Sequence, residues 1–248
     1  AIASGILLYG MSILYGAIGS LDLGVIAEKT NQVWAVQPMM LSFAIVFLVV
    51  GVCFKLAVVP FHMWAPDVYQ GAPSAVTILI SSAPKLAAAG MMFRLFALGL
   101  PALQSQWQPL FIMVAALSVI VGNLLAVVQT NLKRLFAYSG IAHMGYMLFG
   151  LIAGTAEGYS ASLYYICVYG LTSAAAFGLI VLMSRAGLES ENIEDFKGLN
   201  SRSPWLAAML MIVLFSMAGV PPMAGFFTKL MVLKSLVNTG FIYLALLG

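Results

Sequence analysis

Apolar residues in this chain do not alternate with polar ones; they come in long runs broken by short polar segments. A helical run of about 20 residues covers the roughly 30 Å of a bilayer's hydrocarbon. The pattern predicts spans over 2–18, 38–59, 74–98, 109–128, 135–153, 160–183 and 204–236, with an eighth starting at 241. Between them lie a polar connection with Asp22, Glu28 and Lys29, a proline-marked loop over 60–73 and a turn over 101–108. A tight turn over 129–134 and a charged segment over 185–203 complete the connections. The expected fold is an all-α multi-span membrane protein, one transmembrane domain over 1–248 with seven complete spans and part of an eighth. The missing initiator Met and the apolar run cut at Gly248 lead to the expectation of an internal piece of a longer chain.

Two spans carry interruptions. Pro60 follows Lys55 by five residues, and Gly219-Val220-Pro221-Pro222 falls inside the long run over 204–236, with Gly225 just beyond. Proline removes a helical hydrogen bond and clashes with the preceding turn. Such breaks survive at membrane depth only where protein or water satisfies the freed backbone, and paired broken helices point to a transport site.

Composition sharpens the class. The chain is 62% hydrophobic and 8% charged, with mean hydropathy +1.04, which excludes a soluble domain at about 25% charged. A net charge of +3 is too small and scattered for nucleic acid. It does orient the chain. Counted by alternate loops, one side collects Lys133, Arg134, Arg185, Lys197 and Arg202, which places the 60–73 and 185–203 segments in the cytoplasm. Cys53 and Cys167 show no metal or redox spacing and read as packing residues.

The candidate chemistry lies in three lysines within apolar stretches: Lys55, Lys85 and Lys229. The eight acids, Asp22, Glu28, Asp67, Glu157, Glu189, Glu191, Glu194 and Asp195, all fall in predicted connections. A lysine near mid-bilayer costs about 3 kcal/mol, so its presence is a functional hypothesis by default. A row of them reads as a proton relay. The competing reading is snorkelling, with the ammonium reaching the headgroups along its apolar stem. His143, eight residues into the fifth span, is either a packing residue or a proton carrier linking two lysines. Tyr138, Tyr146, Tyr164, Tyr165 and Tyr169 either line a polar path or belong to an aromatic belt. Asn123 and Gln129 are candidate polar links, and His62 reads as an entry-face or structural residue. Arg94, Lys133, Arg134 and Lys234 read as interfacial anchors.

The stretch Phe54-Lys55-Leu56 through Pro60-Phe61-His62-Met63-Trp64-Ala65-Pro66-Asp67-Val68-Tyr69-Gln70-Gly71-Ala72-Pro73 resembles a signature of the antiporter-like membrane subunits of respiratory complex I. Gln129 to Ser139, with Ile141, His143, Gly145 and Tyr146, is similar to a second signature. Gly219-Val220-Pro221-Pro222, Gly225-Phe226 and Lys229 match a third. The order of the three covers essentially the whole chain. Lysine at 229 separates the chain from the M-type members, and Asp67-Val68-Tyr69 favours the N-type over the L-type.

The resemblance implies a fourteen-helix bundle with two inverted five-helix repeats, each with one discontinuous helix, of which this stretch runs from the sixth helix into the thirteenth. It implies that Lys55 and Lys229 sit on the two broken helices, that Lys85 bridges, and that His143 lies between. The family pairs the first lysine with a glutamate on a helix preceding this stretch. Ser139-Gly140 stands where many members have two serines, a small change that leaves the chemistry in place.

The implied activity is proton translocation within NADH:quinone oxidoreductase in a bacterial inner membrane, beside other complex I membrane subunits. No haem, iron–sulfur or flavin ligand set is apparent here, so NADH, FMN, iron–sulfur clusters and quinone belong to partner subunits. On this expectation Lys55 is the switch and Lys85 the central relay, with His143 and trapped water bridging to Lys229 as exit or loading group. The alternatives are a subunit of a multi-subunit sodium/proton antiporter and a structural anchor whose lysines only hold helices together.

Overall fold

The computed structural model describes residues 2–184 and 190–248, and it is helical throughout apart from turns and one isolated bridge between Asn131 and Asn192. Arg185 and Glu189, counted above in the charged segment, lie outside the described residues. Twelve α-helices are described: α1 (Ile2–Ile18), α2 (Leu23–Val36), α3 (Pro38–Leu56), α4 (Trp64–Gly71), α5 (Ser74–Met92) and α6 (Gln104–Val127). They continue with α7 (Leu132–Ala153), α8 (Ala156–Met183), α9 (Leu199–Arg202), α10 (Pro204–Ala218), α11 (Ala224–Asn238) and α12 (Ile242–Leu247).

Among the described residues, five helices or helical runs are long and apolar enough to cross a membrane: Pro38–Leu56, Ser74–Gly99, Pro101–Val127, Leu132–Ala153 and Ala156–Met183. Helices α1 and α2 are long and apolar enough only when taken together, and they are bent by 66° at their junction, the shape of a broken span or a re-entrant loop. At the centre stands α7, buried without interruption from Gly140 to Ala153. That is why its apolar residues show no single face: neighbours cover it all round. It packs between α6 and α8, with α11 and α4 closing the other sides.

Three expectations from the sequence are corrected. The polar connection at 22–29 is mostly helix, because Asp22 caps α2 by accepting from the Gly24 and Val25 amides (2.8 and 3.2 Å). The proline-marked loop over 60–73 contains α4. Pro66 lies in that helix's first turn, where the missing amide has no partner to lose, and Asp67 there complements the helix dipole. The acids are consequently not all in connections: Glu28 lies in α2, Asp67 in α4 and Glu157 in the first turn of α8.

Both predicted breaks are present. Helix α3 stops at Leu56, Ala57 turns left-handed (φ 58°, ψ 47°), and α4 resumes at Trp64. The backbone groups this frees are satisfied by protein: Val59 N donates to Ser118 Oγ on α6 (2.9 Å), and Trp64 Nε1 donates to the Phe54 carbonyl (3.1 Å). The second break separates α10 from α11 at Gly219 (φ 84°) through Met223. Val59-Pro60 and Pro221-Pro222, one in each break, are cis.

At the second break Gly225 lies against the Ser216 backbone so closely that a Cβ would overlap the Ser216 carbonyl, while its amide donates to Ser216 Oγ (3.2 Å). Gly225→Ala is therefore expected to cost about 1–3 kcal/mol, at the upper end because the obstacle is backbone. A lowered thermal unfolding midpoint of the full-length subunit would report it, and an unchanged midpoint would show that the two half-helices can separate freely.

Candidate functional site

Lys85 sits in α5 immediately after Pro84 and is only 2% exposed. Its ammonium donates to Tyr169 Oη on α8 (3.0 Å) and lies 5.0 Å from that ring's centre and 5.6 Å from the ring of Tyr69 on α4. The aromatic faces supply the electron-rich surroundings that a desolvated cation needs. Snorkelling does not describe this lysine.

His143 on α7 comes next. Its ring centre is 5.3 Å from that of Tyr169, and its Nδ1 is hydrogen-bonded to Tyr165 Oη (2.7 Å). Tyr165 in turn stacks on Tyr146 (6.4 Å, interplanar 15°). The Lys229 ammonium lies 4.9 Å from the centre of the Tyr146 ring and donates to the Ala218 carbonyl (3.0 Å). That carbonyl ends the first half of the broken helix, where the helix dipole favours a cation. A cavity of about 360 Å³ joins His143 and Lys229, lined also by Asn123, Ser139, Tyr146 and Met217. The row therefore runs Lys85, Tyr169, His143, Tyr165, Tyr146, Lys229.

Sequence spacing carried part of this. Tyr165 and Tyr169 are four apart on α8, and His143 and Tyr146 three apart on α7, so each pair shares one helix face. Tyr164, by contrast, is exposed. Tyr138 lies beside Arg134, away from the row. Of the two amide candidates, Asn123 lines the cavity, whereas Gln129, just past the end of α6, donates to the Leu125 carbonyl of that helix (2.8 Å).

Lys55 stands apart. It lies in the last turn of α3, is exposed, and makes no hydrogen bond or ion pair among the described residues. It lines a cavity of about 390 Å³ with Ser4, Phe54, Trp64, Pro84 and Met91. Its link to the row is by adjacency, since Pro84 precedes Lys85.

Lys133 is the principal correction. Rather than an interfacial anchor, it is 1% exposed, paired with Glu191 (2.8 Å) and donating to the Ala72 carbonyl (2.9 Å). Its neighbour Arg134 bonds Asp67 Oδ1 (2.7 Å) and Gln70 Oε1 (3.0 Å). Together they tie the start of α7 to the end of α4 and to the acidic segment. The loop count had put these segments on one side, which was the available signal; the burial was not legible.

The family described as "NADH:quinone oxidoreductase/Mrp antiporter, TM" matches residues 1–248. The chain belongs to this family. Among members of the NADH:quinone oxidoreductase/Mrp antiporter family, it is 56% identical over its whole length to an NADH-quinone oxidoreductase subunit N from Coxiella burnetii. It is 55% identical to a subunit N from Azoarcus sp.. It covers 52% of each, so the chain spans about half the length of the curated relatives it matches. Its fold superposes on a chain of respiratory complex I from Thermus thermophilus (TM-score 0.80, 34% identity, 99% of this chain and 52% of that one). It also superposes on a chain of the Mrp complex from Dietzia sp. (TM-score 0.87, 26% identity, 99% and 45%). The all-α antiporter-like architecture with two discontinuous helices is that of the family.

Proposed function

We propose that this chain forms part of a proton-translocating membrane subunit of NADH:quinone oxidoreductase, with Lys55, Lys85, His143 and Lys229 as its proton-carrying groups. The observation that carries the reading is the row of neighbouring groups from Lys85 to Lys229 through a histidine and three tyrosines, hydrogen-bonded at Lys85–Tyr169 and His143–Tyr165 and in ring contact at the other links. The subunit N relatives support the assignment to the oxidoreductase. On this reading the chain has no redox centre. NADH, FMN, iron–sulfur clusters and quinone are handled by partner subunits, beside other complex I membrane subunits in a bacterial inner membrane, and 1–248 acts as one transmembrane domain.

The mechanism follows from electrostatics between charges in a poorly screened interior. A proton gained or lost at one site changes the free energy of charging its neighbour, so occupancy at Lys55 biases Lys85, and occupancy at Lys85 biases Lys229. When the Lys85 ammonium releases its proton to Tyr169 Oη and that hydroxyl gives up its own hydrogen, Lys85 is left neutral. A water between Tyr169 and the neighbouring His143 is needed to carry the hydrogen on, since the two ring centres are 5.3 Å apart and the side chains are not hydrogen-bonded. Water in the cavity between His143 and Lys229 completes transfer, leaving Lys229 protonated. Its contact with the Ala218 carbonyl then stabilises the charged form.

The test is His143→Leu in the assembled complex in sealed vesicles, with NADH-driven proton uptake and quinone reduction recorded together. Uptake per NADH is expected to fall several-fold with normal assembly. Uptake at the wild-type level would remove His143 from the path and with it the continuity of the row.

The superposition on the Mrp chain keeps a second reading, a sodium/proton antiporter subunit. Vesicles separate the two: sodium-driven proton movement without NADH would favour the antiporter.

A further inference from the structure

Lys85 lies between two tyrosines, and among the described residues its well-formed hydrogen bond is to one of them. Tyr169 Oη accepts from it at 3.0 Å. Tyr69, on α4, is fully buried, its ring is 5.6 Å from the same ammonium, and its hydroxyl, though it faces that ammonium, completes no hydrogen bond of ordinary geometry among the described residues. A buried hydroxyl left unpaired is costly, and native interiors rarely keep one without a use. The ammonium has three donors, so a second acceptor beside it is chemically complementary.

We propose that Tyr69 is a second hydrogen-bond station for Lys85, so that the ammonium alternates between Tyr169 on α8 and Tyr69 on the second half of the first broken helix. This rests on the reading of Lys85 as a proton carrier. The two stations face different ends of the path. Tyr169 adjoins His143, whereas Tyr69 belongs to the segment that follows the Lys55 break. An ammonium on Tyr169 is set to deliver toward Lys229, and on Tyr69 it is withdrawn from His143. No net protonation change is needed for the swing; one N–H···O bond is exchanged for another.

Gly140 sets the balance. A Cβ at 140 would lie 2.6 Å from Tyr169 Oη and 2.8 Å from Lys85 Nζ, so a side chain there would crowd both ends of the Lys85–Tyr169 bond and force them to shift. The position that departs from the two-serine pattern therefore touches the central lysine directly. Gly140→Ala closes the Tyr169 station and drives the ammonium to Tyr69. Tyr69→Phe removes the other acceptor and holds it on Tyr169.

The experiment places each variant in the full-length subunit of the assembled complex, reads proton uptake per NADH in sealed vesicles, and locates Lys85 by electron cryo-microscopy. Both variants are expected to lower uptake several-fold, with the ammonium on Tyr69 in Gly140→Ala and on Tyr169 in Tyr69→Phe. A ring-fluorinated tyrosine incorporated at position 69 keeps the shape and changes only the acidity of the hydroxyl. It is expected to alter the uptake rate, which a merely structural role would not. Wild-type uptake with fluorinated Tyr69, or an ammonium that stays on Tyr169 in Gly140→Ala, overturns the second station. Lys85→Met separates the two failures. If it abolishes uptake while Tyr69→Phe pumps normally, only the station is lost. If it too pumps normally, the proton-carrier reading falls with it.

Discussion

Lys85→Met is expected to lower NADH-driven proton uptake by about tenfold or more, a loss of at least roughly 1.4 kcal/mol in the transfer barrier. Methionine nearly matches the lysine stem in volume, so packing against α4, α7 and α8 should persist and the complex should assemble. What disappears is the cation that sits on Tyr169 Oη and next to the Tyr69 ring. Quinone reduction should fall with uptake in sealed vesicles, because a coupled machine cannot turn over with its central site unable to charge. Measured with assembly as control, unchanged uptake and unchanged quinone reduction would make Lys85 a structural residue.

Lys133→Met should behave in the opposite way. This lysine is as buried as Lys85, yet its ammonium is committed to Glu191 and to the Ala72 carbonyl. Breaking a buried ion pair by removing one partner costs roughly 3–5 kcal/mol, and the low end applies because Glu191 keeps some contact with water. A membrane subunit with ordinary marginal stability should then assemble poorly. Denaturant unfolding of the full-length subunit, followed by circular dichroism, should show the loss. The complexes that do assemble should pump at the wild-type ratio of protons to NADH. A normal unfolding midpoint combined with reduced pumping would transfer Lys133 from the structural set to the path. Arg134→Ala is a useful contrast, since the exposed Arg134–Asp67 pair is worth at most about 1 kcal/mol.

The two lysines illustrate how far sequence reasoning reached. Lys85 was legible because it stands inside a long apolar run, where any charge is conspicuous against the cost of burying it. Lys133 was not, because it lies in a turn between spans, where a charge is normally solvated. Its burial depends on Glu191 and on the end of α4 arriving from 58 and 61 residues away in the chain. No local pattern encodes that meeting. The 60–73 segment failed for a related reason: prolines read as loop signals along the chain, while Pro66 in a first helical turn breaks nothing.

By itself the sequence did not determine the number of spans: among the described residues five helices are long enough to cross, against seven complete spans expected. It determined the solvent, the approximate bounds of the long central helices, and the two breaks. Each of these follows from nearest-neighbour physics: hydrocarbon length, hydropathy, and proline's missing amide. It also marked Lys55, Lys85, His143 and Lys229 as residues out of place in their surroundings. Only the tertiary structure decided which of them meet. It set Lys85, His143 and Lys229 in one row, left Lys55 on a separate cavity, drew Tyr146, Tyr165 and Tyr169 in as links, and turned the Lys229 ammonium inward to Ala218. Direction of a side chain about its helix depends on what packs against that helix. For α7, surrounded on every side, its own apolar pattern carried no preferred face, and its neighbours chose one.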